Sequence, residues 1–551
     1  MKRNLYLPAL IAFALLLVFS SCSNKSGVPV PADAAFVIHV DGKSLSSKLS
    51  WDEIKQNEWY KKTYAQTTDS LARKVLDNPE ASGIDIKSDA YFFVTMRGKG
   101  GFVGFTCNIS DEKAFASFME KVAKPETVKK DGSISLITEH SSVISWNSNR
   151  FVAIADAPGA GAGFGGGGGK RYSEDSLVVI AKDIYKLKGK KSIGSNSKFA
   201  DMLKEPGDAH FWVNTGAFYG SSLPPMLAAT KVASLFDGNF TTATLNFENG
   251  KIAVDARQFM NKDLMAIYKK NPMKNVDPAI LKKIPTGDVA AAIAINYPPA
   301  ALKEIVTLVG VDGLLSMFLG NTGLSIDDVV KAANGDIVFT VSDFKVTKEK
   351  QTIGEGPGAF SYEDEKASAK LLFGIAIGDK TSFDKVANTI KQQFAGEPGL
   401  MEKAKNNIAQ QTKDGWYLVG NDSVYLNGFG AAATDHPFIS KISGHPMGGY
   451  IDIQKFITGA RPVMDSSAHK IADEAMKVWQ DILFYGGGTS GDASTSHFEI
   501  NFVDKNTNSL KQLNKFLDFV ASMFMKKTMT DVVIDEEVTV DTTATITPAI
   551  K

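Results

Sequence analysis

The amino-acid sequence predicts an α+β fold of internally duplicated units, in which antiparallel β-hairpins are covered by helices in the order A-B-A′-B′. Turn signals followed by short β-prone runs recur along the chain, and long stretches resemble each other about 250 residues apart. Segments with apolar residues at helical spacing follow the predicted strands. Because hairpins that feed a covering helix bury one face of a sheet, this arrangement predicts the α+β class.

Four turn signals mark where the predicted units open. Each places a proline beside small or acidic residues and precedes a β-prone run; they are Pro31-Ala-Asp33, Pro206-Gly-Asp208, Pro285-Thr-Gly-Asp288 and Pro446-Met-Gly-Gly449. The predicted organisation is a leader at 1–21, a tether at 22–30, unit A at 31–200, unit B at 201–280, unit A′ at 281–436, unit B′ at 437–530 and a polar tail at 531–551.

Units A and A′ contain two strands, a helix and a second hairpin in the same order. Asp111 and Thr381 are the predicted N-caps of the two helices, which have apolar residues three or four apart. The predicted strands are 90–96, 101–109, 142–146 and 150–155 in unit A, and 336–341, 370–377, 416–419 and 423–426 in unit A′.

Units B and B′ are each predicted from a hairpin or strand and a helix. In unit B, the Asn249-Gly250 dipeptide between two β-prone runs is a strong hairpin signal. The predicted elements are strands 241–247 and 252–259 with helix 261–270 in unit B, and strand 496–502 with a helix from about 508 to 525 in unit B′. The segments 157–170 and 345–368 are predicted to be exposed loops.

The first residues predict export and a lipid anchor. Lys2 and Arg3 form a positive start, and the apolar run 5–19 is shorter than the roughly 18–20 residues of a spanning helix. Phe19-Ser-Ser-Cys22 resembles the bacterial lipobox, in which the leader is cut before the cysteine and the cysteine is lipidated. We therefore expect acyl chains, palmitate among them, on Cys22. The alternative is a plain secreted protein with a chance cysteine.

The residues after Cys22 predict a tether and a location. Residues 23–30 are mostly small, polar or turn-forming, as expected of a flexible linker. Ser23 follows the cysteine, a pattern that resembles sorting to the outer membrane. No acidic cluster follows Cys22, and this favours the periplasmic face of that membrane over the cell surface.

The composition predicts a large neutral globular protein. Lys+Arg and Asp+Glu are equal at 61 each, so no net field attracts nucleic acid or anionic substrates, and a nucleic-acid partner is not expected. If Cys22 is lipidated, Cys107 has no partner for an internal disulfide. Its apolar surroundings predict a small buried hydrophobe rather than a catalytic thiol.

The sequence predicts no catalytic, cofactor or metal residues, which leaves lipidation of Cys22 as the one predicted site. The Gly-rich run from Pro158 to Arg171 lacks the Gly-Lys-Ser/Thr close of a phosphate loop, so a flexible surface loop is preferred. No Gly-x-Ser-x-Gly elbow is present. Seven histidines show no paired metal-ligand spacing: His39, His140, His210, His436, His445, His469 and His497.

Two apolar segments stand out in the second half of the chain, Ile305–Leu319 and Phe516–Phe524. Glycines and Asp312 interrupt the first, so a membrane span is not expected. Both are predicted to be buried helices, and the alternative is the lining of an apolar groove.

The opening Val30-Pro-Ala-Asp-Ala-Ala-Phe-Val-Ile-His-Val-Asp-Gly-Lys-Ser-Leu45, with Trp51-Asp-Glu-Ile54 and Pro79-Glu-Ala-Ser-Gly-Ile-Asp85, resembles a Bacteroidetes-type envelope lipoprotein family of unknown function. The resemblance implies the cell envelope and carries no catalytic residues to transfer. The leading hypothesis is a non-enzymatic, lipid-anchored envelope protein that binds or scaffolds a partner. The alternatives are a carrier or sensor of an apolar ligand, and an envelope enzyme of unrecognised design.

Overall fold

All strands that the structure describes join one open antiparallel sheet of 18 strands. The computed structural model describes residues 27–98, 100–122, 127–139, 141–161, 169–220, 230–353, 360–395 and 408–536, with the backbone alone at 160, 161, 219, 220, 393–395 and 526–536. The strand pairings place the strands side by side in the order β4-β5-β6-β7-β3-β2-β1-β8-β9-β10-β18-β17-β16-β11-β12-β13-β15-β14.

The strands are numbered along the chain. They are β1 Ala34–Val40, β2 Ala90–Arg97, β3 Gly100–Asn108, β4 Lys129–Asp131, β5 Ile134–Glu139, β6 Ser142–Trp146, β7 Arg150–Asp156, β8 Ala209–Asn214, β9 Phe240–Glu248, β10 Lys251–Phe259, β11 Val289–Asn296, β12 Ala333–Ile353, β13 Phe360–Ile377, β14 Ala409–Lys413, β15 Trp416–Gly420, β16 Met447–Asp452, β17 Trp479–Ser490 and β18 Ala493–Phe502.

The helices of the described residues are numbered in the same way. They are α1 Gly42–Lys48, α2 Trp51–Ile54, α3 Glu58–Gln66, α4 Ser70–Asp77, α5 Glu112–Val122, α6 Glu174–Ile184, α7 Ser197–Met202, α8 Thr215–Gly220, α9 Lys262–Lys270, α10 Pro278–Leu281, α11 Pro299–Leu308, α12 Asp312–Gly320, α13 Ile326–Ala332, α14 Lys380–Ala395, α15 Ser423–Asn427, α16 Ile439–Ile442, α17 Ile453–Ala460, α18 Ser466–Val478 and α19 Ser509–Glu536.

One face of the sheet, which we call the core face, carries two hydrophobic cores. In the first half of the chain, Phe93 and Trp212 on the strands pack with Leu177 of α6. In the second half, strand residues such as Val338 and Leu372 pack with the segments around α10 and α16. Directly opposed residues of an antiparallel pair lie on the same face of a sheet. Followed from strand to strand between β7 and β15, the register therefore shows that both hydrophobic cores lie on the same face.

The sequence correctly predicts most of the strands. The Asn249-Gly250 turn joins β9 to β10, and Gly250 has φ +70°, which glycine adopts without steric cost. The helix after it begins at Lys262, and the side chain of Asn261 accepts a hydrogen bond from the backbone N–H of Leu264. The sequence predicts these elements correctly because hairpin turns and helix caps depend only on neighbouring residues.

The mixture of helices with antiparallel strands is confirmed, whereas the duplicated arrangement of hairpins covered by helices stays a prediction. β1 pairs with β8 as well as β2, and β10 pairs with β18 over nine residue positions. These long-range pairings join the predicted units into one ladder. The 345–368 segment departs from its prediction as a loop, because residues 345–353 and 360–368 form the paired ends of β12 and β13, while 354–359 lie outside the described residues.

Two local predictions in the second half are wrong. Residues 423–426 form part of helix α15 instead of a strand, because Asp422 caps the helix through the backbone N–H of Tyr425 and directs Tyr425 into the core. The outer neighbour of β15 is therefore β14, and its inner neighbour is β13. Helix α14 begins at Lys380, and Asp379 rather than Thr381 accepts the capping hydrogen bond, from the backbone N–H of Ser382 at 2.8 Å.

Candidate functional site

The face of the sheet that lies away from the two cores, which we call the opposite face, also carries large apolar side chains. In β1, Val37 is fully buried on the core face, whereas its neighbours Phe36 and Ile38 are half-buried on the opposite face. Ile38 lies between Phe92 of β2 and Phe211 of β8 in the register of the strands, and both are half-buried. The same strands therefore bury one face completely and leave the other partly exposed.

The row of apolar side chains continues across the middle of the sheet. Successive register partners from β9 to β17 are Leu245, Val254, Phe498 and Phe484, all half-buried. The next partner is Gly449, where an added Cβ would lie 2.1 Å from Cζ of Phe484. The glycine therefore provides the space that the Phe484 ring occupies on this face.

Beyond Gly449 the row reaches the far side of the sheet. Gly449 opposes Ile293 of β11, which opposes Phe339 of β12, which opposes Phe373 of β13. Phe373 is 40% exposed. Among the described residues, helices cover the opposite face beyond these strands, where Phe115 of α5 packs on Phe151 and Phe383 of α14 packs on Tyr417. Residues of α1 to α3 and α19 also cover the end of β1 and the end of β9, where they pack against Val40 and Phe247. At about 4.8 Å per strand, the partly exposed part from β2 to β12 is roughly 43 Å wide.

The opposite face is also uncharged along this row. Between the register positions of Phe92 in β2 and Phe373 in β13, the opposed side chains are aliphatic, aromatic, small or hydroxyl-bearing, and none is Asp, Glu, Lys or Arg. The backbone N–H and C=O groups of these strands pair with each other in the ladder. A molecule on this face therefore meets hydrocarbon surface with few hydrogen-bonding groups.

Two of the seven histidines meet on the core face. His39 and His210 are register partners in β1 and β8, both are buried, and their Nδ1 atoms lie 3.0 Å apart. His39 Nε2 lies 3.1 Å from Asp89, and His210 Nε2 lies 2.9 Å from the backbone oxygen of Glu205. Burial lowers the pKa of His210. The pair is closed by protein partners on both sides, which fits a structural role.

A second polar group lies where the two halves of the sheet meet. His497 of β18 lies between Asp255, at 2.7 Å, and Glu499, at 2.9 Å. Burial opposes the charged form of His497, but the hydrogen bonds to both carboxylates raise its pKa above the usual value. Lys251 Nζ lies 2.5 Å from Glu499. These charges compensate one another on the core face between the two hydrophobic cores.

Of the two cysteines, the structure describes Cys107 and does not describe Cys22. Cys107 is free and buried, as predicted, and burial raises its pKa to about 12. Cys22, His140 and residues 162–168 of the Gly-rich run lie outside the described residues, so the lipidation of Cys22 stays a prediction. Among the residues that the structure describes, no group of three or more His, Cys, Asp or Glu side chains is placed to hold a metal ion.

The Ile305–Leu319 segment is not the buried helix that the sequence predicts. It contains the end of α11 and most of α12, and no residue of α12 is buried. Leu314, Met317 and Phe318 are 64%, 63% and 68% exposed. In the second apolar segment, Phe516 packs on Trp479 whereas Phe524 is 61% exposed. None of the described helices combines the length and apolarity needed to span a bilayer.

The opposite face was not predicted from the sequence as a candidate site. The sequence feature that could have indicated it is the absence of alternation between apolar and polar residues in β1 and β2. Phe36-Val-Ile38 and Tyr91-Phe-Phe-Val94 are apolar at consecutive positions, so both faces of these strands are apolar. Such runs are typical of strands that contact apolar material on both sides. One side is the protein core, and the other is this partly exposed surface.

Residues 28–286 match a family described as Domain of unknown function (DUF4836). The match takes in β1 to β10 and covers just under half of the chain. It supports the predicted resemblance to a family of unknown function, while the assignment to a lipoprotein family stays a prediction. No curated protein matches the chain.

Solved structures that match carry the titles "Structure of crystal form I of TP0453", with 10% identity and a TM-score of 0.24, and "Structure of crystal form IV of TP0453", with 11% identity and a TM-score of 0.25. The first match covers 44% of this chain and 80% of the other, and the second covers 46% and 88%. Likeness of this degree does not establish a shared fold.

Proposed function

We propose that this protein is a non-enzymatic lipoprotein of the cell envelope, held at the membrane through Cys22, which carries an acyl-chain ligand on the opposite face of its sheet. The observation that carries the proposal is the row of partly exposed apolar side chains from Ile38 to Phe373. Soluble proteins rarely leave a contiguous apolar surface of this extent without a ligand or partner for it.

The chemistry of the face favours an acyl chain over a peptide. An extended peptide on a sheet face would find its backbone N–H and C=O groups without partners, because those of the strands already pair within the ladder. Burying unpaired amide groups costs about 1–3 kcal/mol each. A hydrocarbon chain has no such groups, and each CH₂ that leaves water contributes about 0.8 kcal/mol.

We also propose that the two halves of the chain arose by duplication. Inward from β6, which has β5 and β4 outside it, the strands of the first half follow in the order β6-β7-β3-β2-β1-β8-β9-β10. Inward from the outermost strand of the second half, the order is β14-β15-β13-β12-β11-β16-β17-β18. Each strand of one series has its counterpart at the same place in the other. On this basis the opposite face consists of two equivalent halves that meet at β10 and β18.

The proposal is tested directly by measuring whether the purified protein carries or binds lipid. The chain from residue 22 onwards with Cys22→Ser, which lacks both the predicted leader and the predicted anchor, is purified without detergent, and native mass spectrometry and lipid extraction are used to detect bound fatty acid or phospholipid. Binding of added palmitate is measured by calorimetry. A protein that neither carries lipid nor binds palmitate would contradict the proposal.

The position of the ligand is tested with tryptophan substitutions that preserve an aromatic or apolar side chain. Phe498→Trp places an indole in the middle of the opposite face, and Val179→Trp places one on α6, where Val179 is 57% exposed and lies on the other side of the sheet. Relative to the unsubstituted chain, 9,10-dibromostearate should quench the added emission at position 498 and leave that at position 179 unchanged. Equal quenching at the two positions would place the ligand elsewhere.

A further inference from the structure

The start of β1 and the end of β11 lie at the same end of the sheet. Between them the strand order has β8, β9, β10, β18, β17 and β16, and every neighbouring pair is antiparallel. The strand direction therefore reverses seven times between β1 and β11, so the two strands run in opposite directions and β11 ends where β1 begins. We call the end where β1 begins the proximal rim. Helix α11, which follows β11, therefore begins at the proximal rim, and α12 follows α11 after three residues.

The chain enters the fold at the same rim. The backbone N–H of Ile193 donates to the carbonyl of Val30, and that of Ala32 donates to the carbonyl of Lys191, so residues 30–32 are fixed beside the start of β1. Four residues, and therefore five Cα–Cα steps, separate Cys22 from Gly27, the first residue that the structure describes. A chain of that length spans at most about 17 Å, so a lipid on Cys22 holds this rim close to the bilayer.

Helix α12 presents an apolar surface at this rim. Leu314, Met317 and Phe318 are spaced three and four residues apart, which places them on one side of the helix, and each is more than 60% exposed. Leu315 and Leu319 are half-buried and face the protein. The backbone N–H of Lys231, from the segment that joins β8 to β9 at this rim, donates to the carbonyl of Val309, which places the start of α12 beside that segment.

We propose that α12 inserts Leu314, Met317 and Phe318 into the surface of the bilayer to which the protein is anchored. The proposal uses the anchoring at Cys22 that is part of the proposed function, and it adds a second, non-covalent contact with the same membrane. A short apolar helix side of this kind lies in the interfacial region of a bilayer. With α12 inserted, the proximal end of the opposite face meets the membrane, and acyl chains enter or leave there.

The bilayer is favoured over a second copy of the chain as the occupant. Three side chains expose only a few hundred Å² of apolar surface, whereas a stable protein interface buries more than about 1,000 Å². Shallow insertion into a bilayer needs no complementary partner surface. The short tether also keeps the helix within reach of the membrane at all times.

Vesicle binding in the absence of the anchor tests the proposal. The Cys22→Ser chain is floated with neutral phosphatidylcholine vesicles, and its partition is compared with that of the same chain carrying L314E, M317E and F318E. We expect the triple substitution to lower the partition coefficient at least tenfold. Because all three side chains are exposed, the circular dichroism and the unfolding midpoint should not change.

The chain offers a matched control at the other end of the sheet. Ile353 and Phe360 are 63% and 66% exposed at the ends of β12 and β13, where the two strands pair furthest from the proximal rim. The double substitution I353E and F360E should leave vesicle binding within twofold of the parent. Loss of binding in this control with retention in the α12 variant would overturn the proposal, as would equal binding by all three chains.

Two further readouts distinguish insertion into the bilayer from self-association of the chain. A Phe318→Trp variant should show a blue shift and quenching by vesicles that contain brominated lipid, and an unchanged spectrum would overturn the insertion. If the α12 substitutions abolish dimer formation in sedimentation while vesicle binding persists, the surface serves a second copy instead and the proposal is wrong. Palmitate binding by the α12 variant without vesicles tests the opposite face independently of the membrane contact.

Discussion

The buried carboxylate of Asp208 allows a quantitative test of the fold. The Asp208 side chain is 0% exposed and accepts hydrogen bonds from Lys48 Nζ, Ser44 Oγ and the backbone N–H of Phe247, each at 2.6 Å. These donors come from α1 and β9, so the carboxylate joins the start of β8 to two other elements. We consider the substitution Lys48→Met, which keeps the aliphatic stem and removes the charge.

The expected cost follows from what remains around Asp208. Removing one partner of a buried ion pair costs about 3–5 kcal/mol, because the other charge stays buried without compensation. Two hydrogen bonds to the carboxylate survive, and the Lys48 side chain is 24% exposed, so water screens part of the interaction. We therefore expect Lys48→Met to lower the free energy of unfolding by about 2–3 kcal/mol.

The second half of the chain contains a matched control. Lys455 Nζ lies 2.7 Å from Asp288, which lies in a Pro-containing turn before β11 as Asp208 does before β8, but the Asp288 side chain is 66% exposed. An exposed pair contributes about 0–1 kcal/mol. Lys455→Met should therefore change the free energy of unfolding by less than about 1 kcal/mol.

Urea unfolding followed by tryptophan fluorescence measures both variants, and equal m-values are required for the comparison. A double-mutant cycle with Asp208→Asn isolates the interaction between the two side chains. The reasoning is refuted if Lys48→Met and Lys455→Met lower the stability by the same amount, or if the cycle gives no coupling between Lys48 and Asp208.

Three further predictions concern single residues. Gly250→Ala should destabilise the protein by about 1–3 kcal/mol in the same unfolding assay, because φ is +70° and an added Cβ would lie 2.5 Å from the backbone of the neighbouring turn; an unchanged midpoint would contradict this. The hydrogen bonds to Asp255 and Glu499 raise the pKa of His497, so its contribution to stability is complete below the unfolded pKa of about 6.5 and is lost as the pH rises through the higher folded value. The stability difference between the parent and His497→Gln should accordingly shrink from pH 5.5 to pH 8.5, and a difference that grows would show that the sign is wrong. Burial raises the pKa of Cys107 to about 12, so iodoacetamide should not alkylate the folded protein at that position at pH 8, whereas the urea-unfolded chain should react readily.

The sequence predicts those elements whose causes are local. The β9–β10 hairpin follows from Asn249-Gly250, and Asp111 caps α5 through the backbone N–H groups of Lys113 and Ala114, as the spacing indicates. The 423–426 segment was misassigned because its outcome depends on a distant contact. The Tyr425 hydroxyl lies 2.5 Å from Ser342 Oγ of β12, and this places the segment in the second core as a helix.

The single sheet and the candidate site could not be predicted in the same way. The pairing of β10 with β18 joins residues far apart in the chain, and no local pattern selects one partner strand over another. The exposure of α12 has a similar cause. Leu314 and Leu315 are chemically identical neighbours, and only the packing of the rest of the fold decides which of them faces solvent.

The junction between β10 and β18 also constrains how the chain folds. The two strands are roughly 240 residues apart in the chain, so β10 is synthesised long before β18. Until β18 is made, the backbone N–H and C=O groups on one edge of β10 have no partner strand. Edges of that kind are templates for aggregation. Asp255 and Arg257 place charges of both signs on this strand, and such charges discourage pairing with foreign strands while the partner is still absent. The charged residues of β10 thus have two roles: they limit aggregation of the incomplete sheet during synthesis, and Asp255 compensates the charge of His497 in the completed fold.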